Sequence, residues 1–166
     1  GSSSWAAVRR LREAADGANY ADVASYQQDT SVLMREVTNA REELKRTRDL
    51  LLHMQAAAKG APRAAPSLFA RLDAFGVELS KLETRLSGDR VREKLNETTS
   101  PSIGGRAYNA ANNWDTTHAP TATQKADFET AKMEFAAFAA DLEGLLANQL
   151  QQLEAELKAA GAPSWR

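Results

Sequence analysis

Tyr108, Asn112, Trp114 and His118 are the residues of this chain whose types best suit a binding site. Two aromatic rings beside amide, carboxylate and imidazole groups, with Asn109, Asn113 and Asp115 among them, can stack on and hydrogen-bond a small polar ligand such as a sugar, or form a partner surface. They fall in the stretch TSPSIGGRAYNAANNWDTTHAPTATQ, Thr99 to Gln124, the least helix-like part of the sequence. The same residues have a plainer reading. Tyr108 and Trp114 would plug the open end of a helical bundle, while Asn, Asp and Thr satisfy exposed backbone in a turn. The plainer reading is the expectation carried forward.

Catalytic chemistry finds little to build on. The histidines His53 and His118 form no His-Glu pair at helical ligand spacing, so the carboxylate-histidine iron sites of four-helix bundles are excluded and no metal is expected. Zero cysteines exclude thiol catalysis and a disulfide framework. IGGR lacks the flanking strand that a phosphate-cradling glycine loop needs, and no nucleophile elbow or dinucleotide fingerprint is present. Glu42 and Glu43 point to different sides of a helix, and nothing marks two facing acids for glycoside cleavage. The expectation is no enzyme activity and no cofactor. Asn96-Glu97-Thr98 is a glycosylation acceptor pattern, relevant only in a eukaryotic secretory pathway.

What must position any site is helical. A chain of 166 residues is one domain by its length and can bury a sizeable core unaided. With 21 basic against 22 acidic side chains there is no net field to hold nucleic acid or an anionic membrane, while self-association is permitted. No window approaches the length of an apolar membrane span. From about Asp22 to Lys59, the positions Val23, Tyr26, Thr30, Leu33, Val37, Ala40, Leu44, Thr47, Leu51 and Met54 step three and four residues apart, which predicts one long helix with a single buried seam. Asp22 would cap its start, and Gly60 with Pro62 would stop it. The charges between, as in REELKRTRD, read as a solvated face with helical ion pairs.

A second helix is predicted over about Ser67 to Leu86, with Leu68, Leu72, Phe75, Leu79, Leu82 and Leu86 inward and Ser87-Gly88 as its end. The last opens at a capping box, Thr121 and Gln124, and runs to Gly161 with Phe128, Phe135, Phe138, Leu142, Leu146, Leu150, Leu153 and Leu157 as its stripe. Its spacing shifts by one near Leu145-Leu146, which predicts a seam that drifts around the helix. At about 1.5 Å per residue the first and last helices reach roughly 55 to 60 Å and the second only about 30 Å. A further helix of about 13 residues, with Pro101 in its first turn and Ile103, Ala107, Ala110, Ala111 and Trp114 at helical spacing, would complete the leg. Gly104-Gly105 weakens it. The break, residues 88 to 100, should lie opposite Ala40 and FAAFAADL, with Val91, Leu95 or Ile103 filling the notch between small residues. An unfilled notch would be a small pocket.

The predicted fold class is all-α: an antiparallel helical bundle with two long helices, a broken third leg and a short N-terminal helix. Residues 1–21 would comprise an expression scar and that helix, with Trp5, Val8, Leu11 and Ala15 inward and Arg9, Arg10 and Arg12 outward; residues 22–166 would be the bundle. The N-terminal helix has a rival reading as a basic amphipathic anchor.

The run APTATQKADFETAKMEFAAFAADLEGLLANQLQQLEAELKAAGAPSW, preceded by SPSIGGRAYNA and VTNAREELKRTRDLLLHM, resembles the C-terminal helical region of bacterial sortilin-like BNR-repeat proteins, often labelled glycosyl hydrolases. The likeness covers roughly residues 22 to 165. It implies a secreted, periplasmic or cell-surface chain whose propeller blades carry any catalytic work, so no catalytic residue carries over. It departs at SSSWAAVRRLREAADGAN, where such proteins would have a β-rich segment. The expected role is a non-enzymatic accessory scaffold or protein-interaction bundle, with neighbouring domains of a larger protein as partners. A small-ligand sensor and a lipid-surface binder are the alternatives.

Overall fold

The seam positions of the first predicted helix are buried wherever they are described. The structure is a computed structural model of the 166-residue chain and describes residues 23–96, 101–111 and 119–166. Helix α1 spans Val23–Lys59, and its side chains from Tyr26 through Met54 at three- and four-residue steps all lie in the core. Helix α2 spans Pro66–Ser87, α3 Arg90–Lys94, α4 Ile103–Ala111 and α5 Ala122–Gly144. A π-turn over Leu145–Leu150 then leads into α6, Gln151–Ala159. Among the described residues there is no strand, and the fold is an all-α bundle. The predicted N-terminal helix and the Asp22 cap lie outside the described residues.

The chain divides into two units, one from Gly1–Arg41 with Glu83–Ala140, the other from Glu42–Leu82 with Asp141–Arg166. In the first, the Tyr26 hydroxyl donates to the Ala110 carbonyl at 2.9 Å, and its ring meets Phe128 edge-on at 5.7 Å. The other end of this α1 segment meets the start of α4: Arg41 Nε donates to the Ser87 hydroxyl at 3.1 Å, and its guanidinium lies over Gly104. These two anchors make α1 and α4 antiparallel. Gly104 fits because it has no side chain: a Cβ there would sit 2.9 Å from the Leu86 carbonyl oxygen. The glycine that weakens α4 as a helix is therefore what lets it dock on the end of α2.

Local caps follow the sequence closely. Gly88, at φ +87°, ends α2 with its N–H on the Thr84 carbonyl at 2.8 Å. Thr121 and Gln124 form the reciprocal box, at 3.0 and 3.1 Å. Ser102 accepts from the Gly105 N–H at 3.0 Å, so α4 begins at Ile103 and Pro101 precedes the helix rather than opening it. The helix expected there at about 13 residues is described over 9. Asn96, at φ +57°, follows α3, the kind of residue that tolerates this backbone.

In the second unit, Arg48 donates to the Ser80 hydroxyl at 2.8 Å and to the Gly76 carbonyl at 3.5 Å, fixing α1 against α2. Two arginines of the run read as a solvated face thus reach across to another helix, while Arg46 pairs locally with Glu43 as expected. Arg63 donates its backbone N–H to the Ala160 carbonyl and its guanidinium to that of Ala159, covering carbonyls that the end of α6 leaves open. Gly161 at φ +76° and the Ala162 N–H on the Leu157 carbonyl complete a Schellman ending.

The drifting seam expected in the last helix is corrected by the π-turn. Leu142, Leu145, Leu153, Leu157 and Ala160 are buried, and Leu150 is half-buried. These positions step three and four apart except from Leu145 to Leu150, which are five apart. A π-turn holds one more residue than an α-turn, so it absorbs that residue locally and leaves the stripe on one side.

Burial, with Asp127 close by, pushes the Tyr26 hydroxyl up to about 12, and only its protonated form can donate to Ala110. A raised value means that the folded chain holds this proton more tightly. The resulting stability is complete below the unfolded tyrosine value of about 10 and is lost as pH rises from there through about 12. Tyr26→Phe is expected to cost about 1 kcal/mol at pH 7. Urea unfolding at several pH values should show that deficit shrinking above about pH 10; a deficit unchanged up to pH 11 would refute the assignment.

Candidate functional site

The break in the middle leg, within the first unit, holds a cleft of about 610 Å³. It exists because Gly88 turns the chain out of α2, α3 is only one turn long, and α4 starts afresh at Ser102. Arg85 stands on the last turns of α2, Asp89 just before α3 and Arg92 on its first turn, and Glu134 on α5. Ile103 and Ala137 supply apolar lining.

Each charged group is held by a neighbour. The Arg85 guanidinium lies 5.9 Å from the Phe138 ring centroid, a stacking distance for a cation on an aromatic face. Asp89 caps α3 by accepting from the Arg92 N–H at 3.2 Å, and its other oxygen faces Arg92 Nε at 3.6 Å. Glu134 meets Arg106 Nε at 3.1 Å, and Arg106 also reaches Asp127 at 3.7 Å. The cleft therefore presents two guanidinium groups and two carboxylates on helices that fix their positions. A recess of about 180 Å³ in the other unit, between Arg71 of α2 and Gln149 of the π-turn, is below the usual size of a small-molecule site.

The expected site residues fare differently. Tyr108 is 54% exposed on α4, so it does not plug the bundle. Asn112, Trp114 and His118 lie outside the described residues. Of the notch-fillers, Ile103 is buried at 1% exposure and Leu95 is turned out at 66%, while the Val91 side chain lies outside the described residues. Leu95 falls one residue past α3, which at five residues is too short to carry a packed face that far. Ile103 thus occupies its place while an open cleft remains beside it, against Ala137.

Sequence reasoning located the break but not Arg85, Asp89, Arg92 or Glu134. The available signal was the small-residue run opposite the break, which marks room for a pocket without naming its charges.

Among the described residues no group of three or more His, Asp or Glu side chains is placed to hold a metal ion. No helix among them is long and apolar enough to cross a membrane. The class of protein thus defined is an all-α bundle with a charged cleft at a helix break. No family model, curated protein or solved structure matches the chain.

Proposed function

We propose that this chain is a non-enzymatic accessory scaffold or protein-interaction bundle of a larger protein. The observation that supports the reading is apolar surface on the outer faces of the second unit. Leu52 and Val77 are each 55% exposed and Phe69 36%, although the inward faces of the same helices already supply a full core. Such side chains contribute to binding only when a partner covers them, and aromatic anchors carry much of the energy at interfaces. Placement in a secreted, periplasmic or cell-surface BNR-repeat protein rests on the sequence resemblance alone.

The test uses the parent's neighbouring domains supplied separately. Binding should weaken roughly tenfold or more when Leu52, Phe69 and Val77 are all changed to serine, with the helical circular dichroism retained. Equal binding by the triple variant would reject this surface as the interface. Light scattering on both proteins reports self-association through these side chains.

A second reading, a small-ligand sensor, is supported by the cleft of about 610 Å³, which lies in the size range of small-molecule sites. A lipid-surface role has no comparable observation behind it.

A further inference from the structure

We infer that α4 is a detachable helix: it opens as a unit while the long helices stay folded, and it takes one wall of the cleft with it. Its inward face gives the reason. The buried residues of α4 are Ile103, Gly104, Ala107 and Ala110, so a single large side chain leaves water across nine residues. Its one ring, Tyr108, is turned outward, and Asn109 beside it is exposed. Along α2, by contrast, Leu68, Leu72, Phe75, Leu79, Leu82 and Leu86 are all buried. The gain from burial scales with apolar area and the entropy lost on ordering scales with residue count, so α4 has a much poorer balance of the two than α2. Nor does it hold itself together. Nine residues fall short of what an isolated helix needs, and Gly104 with Gly105 lowers the helical preference further.

What seats α4 beyond Ile103 is largely polar. The Tyr26 hydroxyl holds the Ala110 carbonyl at 2.9 Å, and Arg106 reaches Glu134 at 3.1 Å and Asp127 at 3.7 Å. The Arg106, Glu134 and Asp127 side chains are 28%, 42% and 23% exposed, and ion pairs open to water contribute little. On opening, water replaces these partners. The aromatic contacts of α1 and α5 do not involve α4: Tyr26 meets Phe128 edge-on at 5.7 Å, and Phe135 lies 5.9 Å from Phe138. Opening therefore exposes Ile103 and the strip it covers while that core stays shut. Pro101, Ser102 and Ile103 line the cleft, so the cleft loses a wall and Arg106 leaves Glu134 in the same event. The volume of about 610 Å³ belongs to the closed form.

The experiment is native-state hydrogen exchange on the full chain, followed by NMR across a urea series below the unfolding midpoint. The amides of Arg106 through Ala110 should share one opening and be protected at least about a hundredfold less than those of Leu33 and Val37 on α1. Their urea dependence should be above zero but well below the global one, because less surface is exposed. Gly144→Ala, in the other unit, should slow the slowest amides of the long helices by up to about fivefold and leave α4 unchanged, since it stabilises a helix that stays folded in the open form. Tyr26→Phe should speed both groups by about fivefold, because its bond to Ala110 is lost in either kind of opening. Neither variant disturbs packing, so both report on a folded chain. Amides of α4 as protected as Leu33 and Val37, or slowed with them by Gly144→Ala, would mean that α4 leaves only when the whole chain unfolds. Rates graded from one end of α4 without response to urea would mean fraying, and α4 amides indifferent to Tyr26→Phe would mean that this bond does not seat the helix. Any of these outcomes overturns the inference.

Discussion

Gly104→Ala is expected to destabilise the chain by about 2 kcal/mol, while the same exchange at Gly144 stabilises it by up to about 1 kcal/mol. Both glycines sit in helices, where alanine is intrinsically better by roughly 1 kcal/mol. The surroundings reverse the sign at one of them. A Cβ on Gly144 meets nothing within 4 Å, so the helical gain should appear in full. On Gly104 it would lie 2.9 Å from the Leu86 carbonyl oxygen and nearer still to the Arg41 guanidinium. Arg41 can swing aside by giving up its bond to Ser87, but Leu86 is backbone and moves only with the last turn of α2. Overpacking of this kind costs about 1 to 3 kcal/mol, more than the helical gain. Thermal unfolding should place the Gly104→Ala midpoint roughly 4 to 8 °C below the parent and that of Gly144→Ala 2 to 4 °C above it. A Gly104→Ala protein as stable as the parent would mean that α4 is not seated on α2 in solution.

Gly104 also marks where sequence reasoning ran out. As a residue it reads only as a weak helix former, because propensity is local; its reason is the approach of a carbonyl 18 positions earlier in the chain. The seams are the opposite case. Leucine and phenylalanine at three- and four-residue steps have one cheap way to leave water, so α1 and α2 and their inward faces could be read directly. Caps were legible for a similar reason, since Thr121 with Gln124 and Gly88 act within one turn. The cleft was not. Arg85, Arg92 and Glu134 look like ordinary solvated charges until the break in the middle leg puts α3 beside α5, and no spacing rule encodes that meeting. Leu95 misled because amphipathic spacing was credited to a helix too short to hold a face. The extra residue after Leu145 was visible as a shift in spacing. Periodicity alone does not distinguish a seam that drifts from one that is reset at a single turn.

That distinction has a large and measurable consequence in paired single-residue deletions. Removing Asn148, exposed in the π-turn, should convert that turn to α and make the steps from Leu142 through Leu145, Leu150 and Leu153 an unbroken three-four pattern. Nothing buried changes sides, so the cost should stay within about 1 kcal/mol, the scale of one rearranged hydrogen bond. Removing Met133, which is 71% exposed and so sacrifices almost no packing of its own, should behave otherwise. There is no spare residue in α5, and every later position rotates by about 100° relative to Phe128 and Ala131. Phe135 and Phe138, both buried in the first unit, would leave the seam together, and Arg85 would lose its ring. Truncating a single buried phenylalanine costs about 3 to 5 kcal/mol. Displacing two approaches the whole stability of a domain, so the Met133 deletion should be unfolded or melt more than about 15 °C lower. A drifting seam makes the contrary forecast. In that case no turn holds a spare residue, deleting Asn148 misaligns Leu150, Leu153 and Leu157 as badly as deleting Met133 misaligns the phenylalanines, and the two proteins lose comparable stability.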